Sequence, residues 1–426
     1  MRRFFSYFII FFSLNFLFST QVLSADCAGA SGATVTISTS CTALSISGDV
    51  TNLTINSNIT IDKAGKGAVS IGDNTVTTFT NNGTIKTTSS HYGLRHTGSG
   101  LITTLINNGS ITSAARYGLS TGTSATITTI TNTGTISAAS HTGLRNYKGV
   151  IGTITNSGTG TISAVGHSGL RNDGDGEIGT ITNSGTISAG TDKGLFNSGT
   201  ITTLTNSGTI SSTEEYGLSN DNGTINKITN SGTISSGGSG VAGQVDDNTD
   251  GDTDYDNGLW NDSTITTIDN SGFIKAGDEF GLKNVNGGTI TTLNNSGTIS
   301  AGTNFGLRND ESEASPTTIS SLNNSGFIKA LRGHSGLWND GTITTLDNSG
   351  TISAGTDNGI KNIGTITTLE NSGTISAGDE YGIWNESDTD GARIGTITEL
   401  TNTGTISAAR YGINNESNSI ITTLTN

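Results

Sequence analysis

From Asn81 to its final residue the chain repeats one unit, and a repeat this short leaves few folds open. The stretch Asn183–Thr205, NSGTISAGTDKGLFNSGTITTLT, is a clear copy. Aligned on the glycine of each N-x-G step, the copies open at Gly83, Gly109, Gly134, Gly158, Gly185, Gly208, Gly232, Gly272, Gly297, Gly326, Gly350, Gly373 and Gly404, about 13 in all. Neighbouring anchors lie 23 residues apart at the closest (Gly185 to Gly208) and 40 at the widest (Gly232 to Gly272). Periods of roughly 20 to 50 residues belong to solenoids, propellers and arrays.

Each copy holds three short segments in fixed order: T-I-S (Thr186 to Ser188), G-L-x-N (Gly194 to Asn197) and T-I-T-T-L-T (Thr200 to Thr205). β-Branched residues around a single aliphatic fit a strand with one inward side chain and wet neighbours. Gly and Asn punctuate the segments, and they are expected to supply the positive φ values and local hydrogen bonds that corners need. After residue 25 no stretch carries apolar residues at helical spacing. A weaker half-repeat is present, since Leu204-x-Asn206-x-Gly208-Thr-Ile210 echoes Leu195-x-Asn197-x-Gly199-Thr-Ile201.

A unit of two or three strands cannot bury its own face and must stack on its copies. The expected fold is all-β, a right-handed parallel β-helix of about 13 coils with an N-terminal cap, in which Ile stacks on Ile, Leu on Leu and Asn on Asn. At about 4.8 Å per coil the rod is on the order of 60 Å long. Each coil contributes about four inward aliphatics, such as Ile210, Leu218, Ile225 and Ile228, each stabilising by roughly 1.5–3 kcal/mol when buried. So thin a core accounts for an apolar content of 31%. The runner-up is a β-propeller, although propeller blades usually take four strands and about 40 residues.

The chain divides into three parts: residues 1–25, 26–80 and 81–426. Arg2 and Arg3 precede a Phe-rich run from Phe4 to Phe18, and Val22-Leu23-Ser24-Ala25 supplies small residues for cleavage, as in a secretory signal peptide. Residues 26–80 read as the cap. There Val35, Ile37, Leu44, Ile46, Leu53, Ile55, Ile59 and Ile61 alternate with polar residues and no G-L-x-N step occurs. The only cysteines, Cys27 and Cys41, read most simply as one disulfide of an exported chain. Such a loop is worth about 3 kcal/mol; two free thiols are the alternative. Length variation falls at corners, as in Ser239–Asp256, Asp310–Pro316 and Glu386–Arg393. Asn426 stands where a new coil opens, so the chain reads as a fragment that stops in mid-repeat. The net charge of −15 disfavours nucleic acid and anionic membrane as partners.

Four constellations could carry chemistry. Asp246, Asn248 and Asp250, followed by Gly251, match the first half of a D-x-[DN]-x-[DN]-G calcium loop, with Asp252 and Asp254 where further oxygens are needed. The closing position holds Asn257 in place of a bidentate Glu, so the segment is either a calcium site or a solvated acidic loop. A smaller echo occurs at Glu386, Asp388 and Asp390. His91, His141, His167 and His334 each stand two residues before the G-L glycine, as the ends of a metal clip or as a corner residue copied by duplication.

The other two constellations are outward columns. The x of G-L-x-N reads Arg95, Ser120, Arg145, Arg171, Phe196, Ser219, Trp260, Lys283, Arg308, Trp338, Lys361, Trp384 and Asn414. Strand alternation turns this column away from the core. Aromatics and Arg stack on sugar rings and anchor interfaces, so Arg145, Arg171, Phe196, Trp260, Lys283, Arg308, Trp338, Lys361 and Trp384 are the candidate binding residues, unless outward positions simply tolerate any side chain. The T-I-T step forms the second column, at Thr126/Thr128, Thr200/Thr202, Thr264/Thr266, Thr289/Thr291, Thr342/Thr344, Thr365/Thr367 and Thr396/Thr398. Flat rows of this kind are similar to those of ice-binding solenoids, yet Val150-Ile151-Gly152 and Glu177-Ile178-Gly179 break the row. Catalytic residues are not assigned. The chain has no G-x-S-x-G, no G-D-S-G-like step and no zinc-spaced His/Cys set, which leaves a glycan-active β-helix enzyme as the least favoured reading.

The recurring N-[ST]-G-T-I-x-x and Y-G-[LI]-x-N-x-G-T-I-x-x-[LI] steps, behind a signal-like N-terminus, resemble the passenger region of Gram-negative autotransporters over residues 81–426. The resemblance implies Sec export, passage through a C-terminal outer-membrane β-barrel, and display or release as an adhesin-like rod. Its implied partners are a cell-surface or glycan ligand, or a second copy of the rod. The barrel's own signature, segments of about ten alternating residues with aromatic girdles, does not occur in this sequence.

Overall fold

A computed structural model describes residues 26–27, 29–64, 67–88, 91–237, 256–311, 315–387 and 393–426. The described chain is all strand and turn, without a helix. Each coil contributes three strands, illustrated by Thr186–Ala189, Lys193–Asn197 and Thr200–Asn206. These join the T-I-S sheet, the G-L-x-N sheet and the Thr-rich sheet. Every strand pairs in parallel with its counterparts in the coils before and after, so Ile162, Ile187 and Ile210 form one file, and Leu170, Leu195 and Leu218 another. Parallel pairing between successive copies defines a β-solenoid and excludes the antiparallel blades of a propeller.

The T-I-S sheet has 14 strands, one more than the count of N-x-G anchors, because Thr60–Lys63 already pairs with Thr84–Thr87. The cap is therefore built as coils. Ala30–Ile37 lies parallel on Leu44–Ile55, which feeds both the G-L-x-N sheet and the Thr-rich sheet. Leu44, Leu53, Ile55 and Ile61 are fully buried there. Cys27 and Cys41 are joined by a disulfide with Cα atoms 5.5 Å apart, tying the start of the first strand to the coil beneath.

The core is a single file-stacked column running from Ala30 to Leu400. In the representative coil Ile187, Leu195, Ile201 and Leu204 are all fully buried. Ile201 and Leu204 stand three residues apart on one strand, a spacing that straight alternation does not give. The strand bends at its third residue, and Thr202 is the position its inter-coil pairing omits.

Three corners separate the strands. The first corner is N-x-G, as in Asn206-Ser207-Gly208, and leads into the next T-I-S strand. The second follows G-L-x-N, as in Asn197-Ser198-Gly199. The third is the longer link that includes Gly190 to Asp192. Asparagines at the first two corners point inward and are almost completely buried. At the first corner each Nδ2 donates to the Oδ1 of its counterpart in the next coil at 2.7–2.8 Å, in an unbroken ladder from Asn81 to Asn426. At the second corner an identical ladder runs from Asn146 to Asn415. The half-repeat in the sequence is this doubled ladder.

Two expectations about glycine are corrected. The N-x-G glycines are not in the positive-φ region, with the exception of Gly158. They are glycine because coils touch there: a Cβ on Gly208 would overlap the carbonyl oxygen of Gly185 and stand 2.6 Å from the Ser184 carbonyl carbon. Gly158 itself is not the corner glycine of its coil. The Thr186 amide donates to the Gly160 carbonyl, so Gly160 occupies the stacked position and Gly158, at φ 58°, turns an inserted bulge.

Candidate functional site

The G-L-x-N sheet presents two parallel rows of side chains on one outer surface. One is the x column identified above. The other, which sequence reasoning did not single out as a row, is the residue immediately before G-L: Tyr92, Tyr117, Tyr216, Phe280, Phe305, Tyr381 and Tyr411 in the coils where it is aromatic. Its signal was available in the Y-G-L spelling of the repeat. Simple alternation would have turned it to the same side as the core leucine, whereas the close-packed glycine between them places it beside the x column.

The rows interleave rings and cations. Lys283 lies 4.9 Å from the Trp260 ring centre and 4.7 Å from that of Phe280. The Arg308 guanidinium is 4.2 Å from the Trp338 ring centre, and the Lys361 ammonium is 4.3 Å from that of Trp384. Phe280 and Phe305 stack at 5.7 Å with planes 7° apart, and Phe305 meets Trp338 at 4.6 Å with planes tilted by 59°. Further toward the N-terminus, Arg171 covers the Phe196 ring at 4.1 Å, and Arg145 sits over Tyr117 and Tyr147.

Two features set how much of this column is open to solvent. First, the column faces outward but is half-buried, and Phe196 is only 7% exposed, because coils less than 5 Å apart leave little room between large side chains. Second, five of its six cations are neutralised in place. Arg145 and Arg171 both pair with Asp173, at 3.2 and 2.6 Å; Lys283 and Arg308 face Asp310 at 3.8 and 2.9 Å; Lys361 meets Glu386 at 2.8 Å. Burial, and after it the Arg308 charge, lower the pKa of Lys283 below the usual lysine range.

One stretch of this face opens into a groove of about 420 Å³. Its aromatic walls are Phe280, Phe305, Trp338 and Trp384, and Arg308, Lys361, Glu279, His334 and Asp357 stand around it. His334 Nδ1 lies 3.0 Å from Asp357. The groove exists because the ring row skips two coils: Ser335 and Asn358 take the positions that Phe305 fills before them and Tyr381 after them.

The remaining candidates are placed as follows. Asp246, Asn248, Asp250, Asp252 and Asp254 lie outside the described residues. Glu386, from the smaller acidic echo, is engaged by Lys361. Among the described residues no three His, Cys, Asp or Glu are grouped to hold a metal ion. His141 and His167 do meet, with rings stacked at 4.6 Å and planes 14° apart. Stacked faces do not aim two nitrogens at a common point, which is the geometry a metal clip requires. Burial, then the charges of His167 and nearby arginines, lower the His141 pKa. The second Thr of each Thr-x-Thr pair sits at the bend of its strand, as Thr202 does, so the two members of a pair do not belong to one flat row.

No protein-family model, curated protein or solved structure matches this chain.

Proposed function

We propose that this chain is the rod of an exported, surface-displayed or secreted protein, adhesin-like in role, without catalysis, and that its outer G-L-x-N face meets the ligand. The single observation that supports the reading is the contrast between faces. The interior repeats the same aliphatics and asparagines coil after coil, while the aromatic and cationic residues concentrate on one outer surface. A side chain that packs only against the next coil has no need of such variety. The signal-like residues 1–25 and the resemblance to autotransporter passengers favour export, and a β-barrel translocator is the partner that this reading requires.

The reading is tested by expressing the gene with its own leader in a Gram-negative host. Expected are loss of residues 1–25 by mass spectrometry of the mature N-terminus, protease accessibility of the rod on intact cells, and adhesion to surfaces that weakens when Trp260, Trp338 and Trp384 are replaced by Ala. A rod retained in the cytoplasm with residues 1–25 intact would overturn it.

A further inference from the structure

We infer that the two-coil gap in the ring row is a binding slot for a neutral saccharide ring. This rests on the ligand-binding reading above and names the ligand class. The slot has the right walls: Phe305, Trp338 and Trp384 line it, and aromatic rings pack on the C–H surfaces of a pyranose. Its floor is polar. Ser335 and Asn358 are 1% and 2% exposed, and the Ser335 hydroxyl and the Asn358 side-chain carbonyl have no hydrogen-bond partner in the protein. Trp338 Nε1 and Arg308 Nε on the walls are buried and without a partner as well. Two donors, an acceptor and a hydroxyl left unmatched around one groove are costly to the folded state unless something completes them.

The chemistry of the missing partner follows from these atoms. Trp338 and Arg308 can only donate, and the Asn358 carbonyl can only accept, so the ligand must both accept and donate. Hydroxyl groups do both. Charge decides between classes of glycan. Arg308 and Lys361 are already held by Asp310 and Glu386, and Glu279 and Asp357 add two more carboxylates to the rim. The surroundings are net negative, which disfavours uronate, sialylated or sulfated glycans and favours a neutral hexose or N-acetylhexosamine. Ordered water satisfies the same hydrogen bonds, but it gains nothing from an aromatic lining.

The test uses the full chain and its intrinsic fluorescence. Two of its 3 tryptophans line the slot, so neutral hexose and N-acetylhexosamine oligosaccharides should shift the emission saturably, and polygalacturonate and heparin fragments should not. The decisive variant is Asn358→Tyr, which fills the slot with the residue that Tyr381 places at the same position one coil on. It should keep the thermal midpoint and lose saccharide affinity at least tenfold. Ser335→Ala, which removes only the hydroxyl, should lose affinity severalfold. Preference for the anionic fragments, or neutral binding that survives Asn358→Tyr, overturns the inference. A displayed wild-type rod that adheres to cells but binds no neutral saccharide overturns the slot alone and leaves the adhesin reading standing. A rod that adheres to nothing sinks both.

Discussion

The first two corners of each coil are built from the same residues, an inward asparagine and a glycine, yet they tolerate change very differently. At the first corner the ladder is unbroken from Asn81, and from Gly83 onward the carbonyl that receives the next coil's amide always belongs to glycine. At the second corner the ladder begins only at Asn146, with His96 and Thr121 in the two preceding coils. Its glycine position is taken by Ala125, Ser263 or Thr317 in different coils. Five non-glycine residues with positive φ, Ser124, Lys148, Asp175, Asn222 and Asn286, lie in its turns. The difference teaches which corner is the stricter. Coils touch at both: a Cβ on Gly199 would stand 2.2 Å from the Gly176 carbonyl oxygen, as one on Gly208 would from that of Gly185. The first corner keeps glycine at the stacked position even past the bulge at Gly158, whereas the second also admits Ala, Ser and Thr, and the aromatic groove sits on the sheet that leads into that permissive corner.

The comparison can be broken most forcefully through the ladders. Asn206→Ala strands the Asn230 side-chain carbonyl in a dry site, removes one of the three acceptors of the Asn183 amide and takes a donor from the Gly208 and Thr233 carbonyls. At roughly 1–3 kcal/mol for the unsatisfied group and about 1 kcal/mol for each further hydrogen bond lost, it should cost about 4 kcal/mol. Because solenoids open locally, the loss is best read as hydrogen-exchange protection in the flanking coils. Asn197→Ala should match it, and a far smaller loss there would show that the second ladder contributes little. Next comes glycine: Gly208→Ala should cost about 3 kcal/mol through forced separation of coils. Ala at Gly199, a position where other coils already carry Ala, Ser or Thr, should cost about 1 kcal/mol. Equal losses would remove the distinction between the corners.

Acid should act on the N-terminal coils alone. Burial holds the His96 pKa below its ordinary value, with its ring nitrogens facing the Ile71 and Thr126 carbonyls, and His141 is lowered too. A base whose pKa falls on folding is protonated first in the unfolded chain. Its contribution is complete above about pH 6.5 and is lost as the pH drops below that value. Exchange protection of residues 92–147 should therefore fall between about pH 7 and 5 while coils beyond Asn172 keep theirs, and His96→Asn should blunt the effect. A uniform loss along the rod would count against this account. The smallest change is a gain. Thr121→Asn gives the orphaned Asn146 Oδ1 a donor, extends the second ladder by one rung and should stabilise by about 1 kcal/mol in a denaturant midpoint.

Much of this was legible in the residues. Period 23 with one or two aliphatics per strand leads to a stacked parallel solenoid, and Ile187, Leu195, Ile201 and Leu204 are assigned inward as the aliphatic positions of their segments. The x column was legible as outward by alternation. What alternation could not deliver was anything that depends on the bend or the neighbour. Ile201 and Leu204 are both inward only because the strand kinks between them. The Tyr and Phe before G-L join the outer face only because the glycine lies against the next coil.

The chain by itself determined the coil, its inward file and its stacking, since these follow from local periods that hold in every copy. Only the tertiary structure decided why the glycines are glycine, which residues neutralise Lys283 and Lys361, and where the ring row opens into a slot. Those are contacts between coils, made by residues some 23 to 40 positions apart in sequence and less than 5 Å apart in space. Such distances depend on register, and register is fixed only when every coil has found its place on the one before.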